Sequence, residues 1–215
     1  MICVDLDCTL IKSEQRYKDE LEVAKKYGIS AKKYAAAVEK LYQRYGIAAY
    51  RFELLYRILT EVSPGLSRQI IEDLNALLDK NYFFPDSEEF LAAFEPKQLV
   101  LITSGNFEFQ FRKIVAHGLK KYINFIWVIS NKALAVGAEI ISAAKAGIQE
   151  PFFFIDDAPR EIEAVKKAYP EEVVCIQVRT PAPWETQRST EYFDVHLPDL
   201  EAVTHYIKGI LAASV

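Results

Sequence analysis

The sequence predicts an α/β fold, an open parallel sheet with an all-helical segment inserted into it, and three observations carry that prediction. Short apolar runs recur at 2–6, 99–102, 125–129, 152–155 and 173–178, each too brief for a helix and each followed by turn residues. From the second run onward they alternate with helical segments, and right-handed crossovers turn such an alternation into a parallel sheet with helices on both faces. Between the first and second runs, 13–82 is helical in pattern throughout, punctuated only by Gly28, Gly46 and the Ser63, Pro64, Gly65 triplet.

Each element follows from these signals in order. The opening run, 2–6, has no neighbouring strand to pair with, so it belongs to the later sheet. The helical block is therefore an insertion, and the expected domains are a core of 1–11 and 84–215 and a cap of 12–83. Pro85, Asp86 and Ser87 read as a turn and helix N-cap that return the chain to the core. In such sheets ligands bind outside the carboxyl ends of the strands, beneath the expected cap.

Composition narrows the function classes. A chain of 215 residues with 51% hydrophobic, 26% charged and 13% aromatic residues can bury a substantial core, which excludes disordered, collagen-like and disulfide-scaffold classes. A net charge of −4 without a basic stripe argues against nucleic acid as a partner, and no run reaches the ~18 apolar residues of a membrane span. Three cysteines without C-x-x-C spacing, and no secretory signal pattern after Met1, lead to a cytoplasmic expectation.

The predicted strands end in one coherent polar set. The first runs into Asp5, Asp7 and Thr9, the second into Thr103, Ser104 and Gly105, and the fourth into Asp156 and Asp157, while Lys132 follows the third. Carboxylates at the ends of two buried strands repel unless a cation or a proton intervenes, and a hard divalent ion such as Mg²⁺ takes oxygen ligands of this kind. The Thr103 hydroxyl, the Lys132 ammonium and the backbone N–H groups after Thr103 are suited to phosphoryl oxygens.

These residues resemble the four motifs of the haloacid dehalogenase (HAD) superfamily, in the right order over the whole chain: D-x-D-x-T at Asp5, Asp7 and Thr9, the strand-end threonine at Thr103, the lysine at Lys132 and the acidic pair at Asp156 and Asp157. The resemblance implies a Rossmann-like core with a C1-type helical cap. It implies that Asp5 attacks phosphorus to form an aspartyl phosphate and that Asp7 serves as general acid and base. Mg²⁺ would be held by Asp5, the Asp7 carbonyl and Asp157, with Asp156 as an outer or alternate ligand. Asp7 is the acid that the dehalogenase branch lacks, so the implied reaction is hydrolysis of a small phosphate monoester. A sugar-phosphate mutase and a catalytically idle binding protein are the alternatives. Cys8, Ala133 and Glu161 depart from the common pattern at positions often held by Gly, Pro and Asp, and Lys145 is a second candidate for the motif lysine.

Outside the motifs the expectations are plainer. The segment 12–84 carries +3 and the remainder −7, a pattern suited to an anionic substrate and equally to solvated helix faces. Arg44 and Arg51, with tyrosines around the Gly46 break, form a candidate specificity region. Cys3 and Cys8 read as packed thiols, His117, His196 and His205 match no ligand spacing, and Trp184 reads as a packing anchor after the last clear strand.

Overall fold

The computed structural model describes residues 1–148, 151–179 and 192–213; Trp184 lies outside them. The chain divides into two compact units, one of Met1–Lys12, Phe83–Thr103 and Lys120–Val215, the other of Ser13–Tyr82 and Ser104–Leu119.

Among the described residues, the first unit is built on a six-stranded, wholly parallel sheet. Its strands are β1 (Ile2–Val4), β2 (Leu99–Thr103), β3 (Phe125–Val128), β4 (Phe152–Asp156), β5 (Val173–Val178) and β6 (Val195–Leu197), in the spatial order β3-β2-β1-β4-β5-β6. The chain lays β1, β2 and β3 outward in one direction, then returns to place β4 on the free side of β1. The order thus reverses between β1 and β4, the place where open α/β sheets form a crevice. Val4 stands level with Leu101 and Ile155, which brings the ends of β1, β2 and β4 together. Beneath them Cys3, Val100, Ile102, Phe154, Ile162 and Val165 are closed from solvent, each large apolar side chain contributing ~1.5–3 kcal/mol by burial.

Three details differ from the sequence expectation. Strand β1 stops at Val4 rather than residue 6, because the Leu6 carbonyl accepts hydrogen bonds from the N–H groups of Leu10 and Ile11, both at 3.0 Å, and the backbone turns with Cys8 at φ +63°. Strand β3 lies at the sheet edge, with Phe125 54% exposed, and its Trp127 indole N–H donates to Glu139 at 2.7 Å. Strand β6 has only three residues, none fully buried, and lacks the apolar run that marked the other strands.

The second unit packs α1 (Ser13–Lys26), α2 (Ala31–Tyr45), α3 (Phe52–Val62) and α4 (Gln69–Ala76) around a core that includes Val23, Leu41, Leu55, Leu59, Ile70 and Leu74. The Ser30 hydroxyl accepts the Lys33 N–H to cap α2, and Gly46, at φ +79°, ends it where an L side chain would be strained. The helix α6 (Phe107–Ala116) groups with these helices although the sequence placed 104–119 in the core. Its Phe109 ring meets Tyr50 and Phe52 at 5.3 and 5.2 Å, and Arg112 donates to the side chain and backbone carbonyls of Asn75. One carboxylate, Glu20, is fully buried here, accepting from the Tyr34 and Tyr50 hydroxyls at 2.9 Å each and from Arg16. The remaining α-helices among the described residues are α5 (Ser87–Ala92), α7 (Lys132–Lys145), α8 (Pro159–Ala168) and α9 (Leu200–Ala213).

Candidate active site

The ends of β1 and β4 and the start of α7 bring four charged side chains into a buried cluster. Asp5 follows β1 and its N–H donates to the Ile155 carbonyl at 3.0 Å, extending the strand pairing by one residue and fixing the carboxylate at the crevice. Asp156 ends β4 and Asp157 follows it. Lys132 opens α7, whose N-cap Asn131 accepts the Leu134 N–H. The Lys132 ammonium donates to Asp5 Oδ1 and to Asp156 Oδ2, both at 2.7 Å, and all four side chains are 5% exposed or less. Asp156 Oδ1 accepts the Ala158 N–H at 2.9 Å, which uses its second oxygen.

Thr9 ties Asp157 into the cluster. Its hydroxyl accepts the Asp157 N–H at 3.1 Å and donates to Asp157 Oδ1 at 3.3 Å, while the Gln177 amide donates to the Asp157 carbonyl at 3.4 Å. One oxygen from each of Asp5, Asp156 and Asp157 lies within 4.8 Å of the others.

Among the described residues, three buried carboxylates lie around one buried ammonium. Burial, followed by the like charges of Asp156 and Asp7, pushes Asp5 up to about 7 against the opposing pull of Lys132. Burial also raises Asp156, against Lys132. Lys132 is buried too, which alone would lower it, but the two carboxylates outweigh burial and hold its proton firmly. The all-oxygen donor set of Asp5, Asp156 and Asp157 fits a hard divalent cation.

An unpartnered hydroxyl points the same way. The Thr103 hydroxyl, at the end of β2 and 1% exposed, has no hydrogen-bond partner among the described residues. A buried orphan hydroxyl costs ~1–3 kcal/mol and is commonly retained where a ligand completes it.

The sequence-derived residues fall into two groups. Asp5, Lys132, Asp156 and Asp157 share the cluster, Thr103 lies one strand away, and Asp7 sits half-buried in the loop after β1, bridged to Ile11. Ser104, Gly105, Arg44 and Arg51 belong to the helical unit. There the Ser104 carbonyl accepts from the Gln110 side chain and Gly105 adopts φ +137°. Arg44 pairs with Glu61 at 2.7 Å, beside Lys40, and Arg51 is exposed ahead of α3. Lys145 closes α7, thirteen residues along the helix from the cluster lysine. Sequence reasoning missed Arg179, whose Nε donates to the Thr9 carbonyl at 3.2 Å; its only signal was a cation directly after an apolar strand.

No protein-family model matches the sequence, and no curated protein is significantly similar to it. Solved structures do match in fold. A haloacid dehalogenase-like hydrolase from Burkholderia xenovorans superposes with a TM-score of 0.72 at 20% identity, covering 98% of this chain and 97% of that one. The L-2-haloacid dehalogenase of Xanthobacter autotrophicus gives 0.65 at 12% identity, with 97% and 98% covered. A HAD hydrolase of Bacillus subtilis bound to magnesium gives 0.60 at 13%, with 96% and 97% covered. With matches spanning nearly the full length of each chain, and a parallel sheet ordered β3-β2-β1-β4-β5-β6, this protein has the fold of the haloacid dehalogenase-like hydrolases.

Proposed function

We propose that the chain is a Mg²⁺-dependent phosphatase that hydrolyses a small phosphate monoester through an aspartyl phosphate on Asp5. The observation that carries this reading is the buried Asp5, Asp156 and Asp157 cluster, whose carboxylate oxygens lie within 4.8 Å of one another beside Lys132 and the unpartnered Thr103 hydroxyl. When bound, Mg²⁺ would be held by these carboxylates, would screen their mutual repulsion and would polarise a phosphoryl oxygen. The magnesium bound to the B. subtilis hydrolase of the same fold supports the choice of metal.

In this reading an Asp5 oxygen attacks phosphorus as the bond from phosphorus to the leaving oxygen breaks. Asp7 gives its proton to that oxygen, releasing the alcohol. A water then loses a proton to the Asp7 carboxylate and attacks the same phosphorus. The bond from phosphorus to Asp5 breaks, inorganic phosphate leaves and both carboxyl groups return to their starting states. Lys132 holds Asp5 in place and balances its charge, and the Thr103 hydroxyl donates to a phosphoryl oxygen. The same Asp5 could serve a dehalogenase, as the likeness to the X. autotrophicus enzyme allows, but a halide leaves carbon without a proton, so that reaction needs no acid such as Asp7 for its leaving group.

The test is a panel of nucleotides, sugar phosphates and small phospho-acids assayed with Mg²⁺, with Asp5→Asn as the blank. Phosphate release that disappears in Asp5→Asn and in EDTA is expected. Halide release from 2-haloacids without phosphatase activity would overturn the reading in favour of a dehalogenase. Interconversion of sugar-phosphate isomers without phosphate release would favour a mutase. A beryllium trifluoride adduct on Asp5 would exclude an idle protein.

A further inference from the structure

We propose that Arg179 is a positioning residue for the acidic cluster, acting through Thr9. It follows β5 and adopts φ +63°, a left-handed conformation that only a few per cent of non-glycine residues take up. Such a conformation persists where surrounding contacts over-determine it, and here they come from three directions. The Arg179 N–H donates to the Leu197 carbonyl at 3.0 Å, which fastens the backbone to β6. Its guanidinium donates from Nη2 to Asp86 Oδ1 at 2.6 Å, donates from Nε to the Thr9 carbonyl at 3.2 Å, and lies 3.7 Å above the centre of the Phe84 ring.

The segments joined in this way are the two stretches where the first unit gives way to the helical insertion and resumes after it. The outgoing stretch holds Thr9 and Leu10, the returning stretch Phe84, Asp86 and Ser87. They are already tied directly, since the Leu10 carbonyl accepts both the Phe84 N–H at 3.1 Å and the Ser87 hydroxyl at 2.7 Å. The second Asp86 oxygen accepts the Leu200 N–H at 2.7 Å, at the start of α9. Arg179 therefore binds both stretches to the end of β5, while Asp86 extends the connection to α9.

The consequence for the cluster runs through a single residue. The Thr9 carbonyl is held by Arg179, and the Thr9 hydroxyl holds both the N–H and the carboxylate of Asp157. Asp7 is two residues before Thr9 in the same loop. Lysine at position 179 could keep the charge pair with Asp86, but one ammonium cannot also reproduce the planar contact with Phe84 and the diverging donor to Thr9. Thr9 is the group bonded directly to Asp157, and altering an outer partner of that kind changes metal affinity or activity by about 10–100-fold.

The role in catalysis rests on the phosphatase reading, but the clamp on Thr9 can be tested without it. Hydrogen exchange is measured on the full-length wild type and Arg179→Lys, and Mg²⁺ affinity on these, Thr9→Val and the double variant by calorimetry. Expected are faster exchange at 5–11 and at Asp157 in Arg179→Lys with an unchanged urea midpoint, Mg²⁺ binding weakened about tenfold in each single variant, and no further loss in the double variant. In phosphatase assays kcat should fall with it while KM for the ester changes less than about twofold. Unchanged exchange at 5–11 and Asp157 would overturn the proposal, as would independent, additive losses of Mg²⁺ affinity in the double variant. If wild type binds no Mg²⁺ and hydrolyses no ester, while exchange still rises as expected, the phosphatase reading fails and the clamp on Thr9 stands.

Discussion

Replacing Lys132 with methionine separates the electrostatic account of the cluster from its packing. Methionine fills a comparable volume, so the main loss is the ammonium that sits 2.7 Å from both Asp5 and Asp156. Removing one member of a buried ionic group leaves an uncompensated charge and costs ~3–5 kcal/mol. The cost must depend on pH, with a sign fixed by proton binding. Without metal, wild-type Asp5 is raised to about 7, so between its ordinary value and 7 the native state holds a proton that the unfolded chain has released, and stability falls as pH rises through that window. Losing the lysine raises Asp5 and Asp156 further, so above pH 7 the variant retains a proton that wild type has given up. The penalty should then grow by ~1.4 kcal/mol per pH unit for each retained proton, about 2 kcal/mol more at pH 8.5 than at pH 7. Urea unfolding in EDTA, followed by tryptophan fluorescence, is a suitable assay because the helical unit contains no tryptophan. A penalty below 1 kcal/mol, or one that does not change between pH 7 and 8.5, would refute the reasoning.

Other predictions concern single groups. Tyr34→Phe or Tyr50→Phe should each destabilise the helical unit by ~1.5–3 kcal/mol, because each removes a hydroxyl donor from the fully buried Glu20. Circular dichroism in urea reads the loss, and no change in midpoint would show that Glu20 does not depend on these donors. Iodoacetamide at pH 8 should modify Cys8 before Cys3 or Cys175, since burial pushes both of the latter thiols up to about 12; mass spectrometry finding Cys3 labelled first in folded protein would contradict this. Gly105→Ala should cost ~1–3 kcal/mol, because φ is +137° and a new Cβ would lie 2.8 Å from Gln110 Nε2; an unchanged thermal midpoint would count against it.

What the sequence made legible was whatever its local pattern encodes. The strands of the sheet interior, β1, β2, β4 and β5, stand out because burial on both faces demands continuous apolar runs. Strand β6 does not, because Val195–Leu197 is partly exposed and needs only β5 beside it. The candidate site was readable to the extent that it consists of polar residues at strand ends, where Asp5, Thr103, Asp156 and Asp157 interrupt apolar sequence. The grouping of 104–119 with the helical unit was not, since it depends on Phe109 and Arg112 meeting residues more than thirty positions away. Arg44 illustrates the converse. Its charge suggested an anionic ligand, but Glu61, seventeen residues on in α3, already receives its guanidinium.

The strand order explains why so few residues create so strong an electrostatic demand. Asp5 and Asp156 are 151 positions apart in sequence, yet the parallel β1 and β4 pairing sets their strands side by side, with Val4 level with Ile155. Placing β4 on the opposite side of β1 from β2 also leaves the carboxyl ends of all three strands around one crevice, so the orphan hydroxyl of Thr103 and the carboxylates face the same end of the sheet. Lys132 is delivered there by α7, the crossover that leads from the edge strand β3 to β4. A sheet ordered in simple sequence would have separated β1 from β4 by two strands and given the lysine a single carboxylate to balance. The reversal instead gathers three acids around one base among the described residues, an all-oxygen donor set that fits a divalent cation.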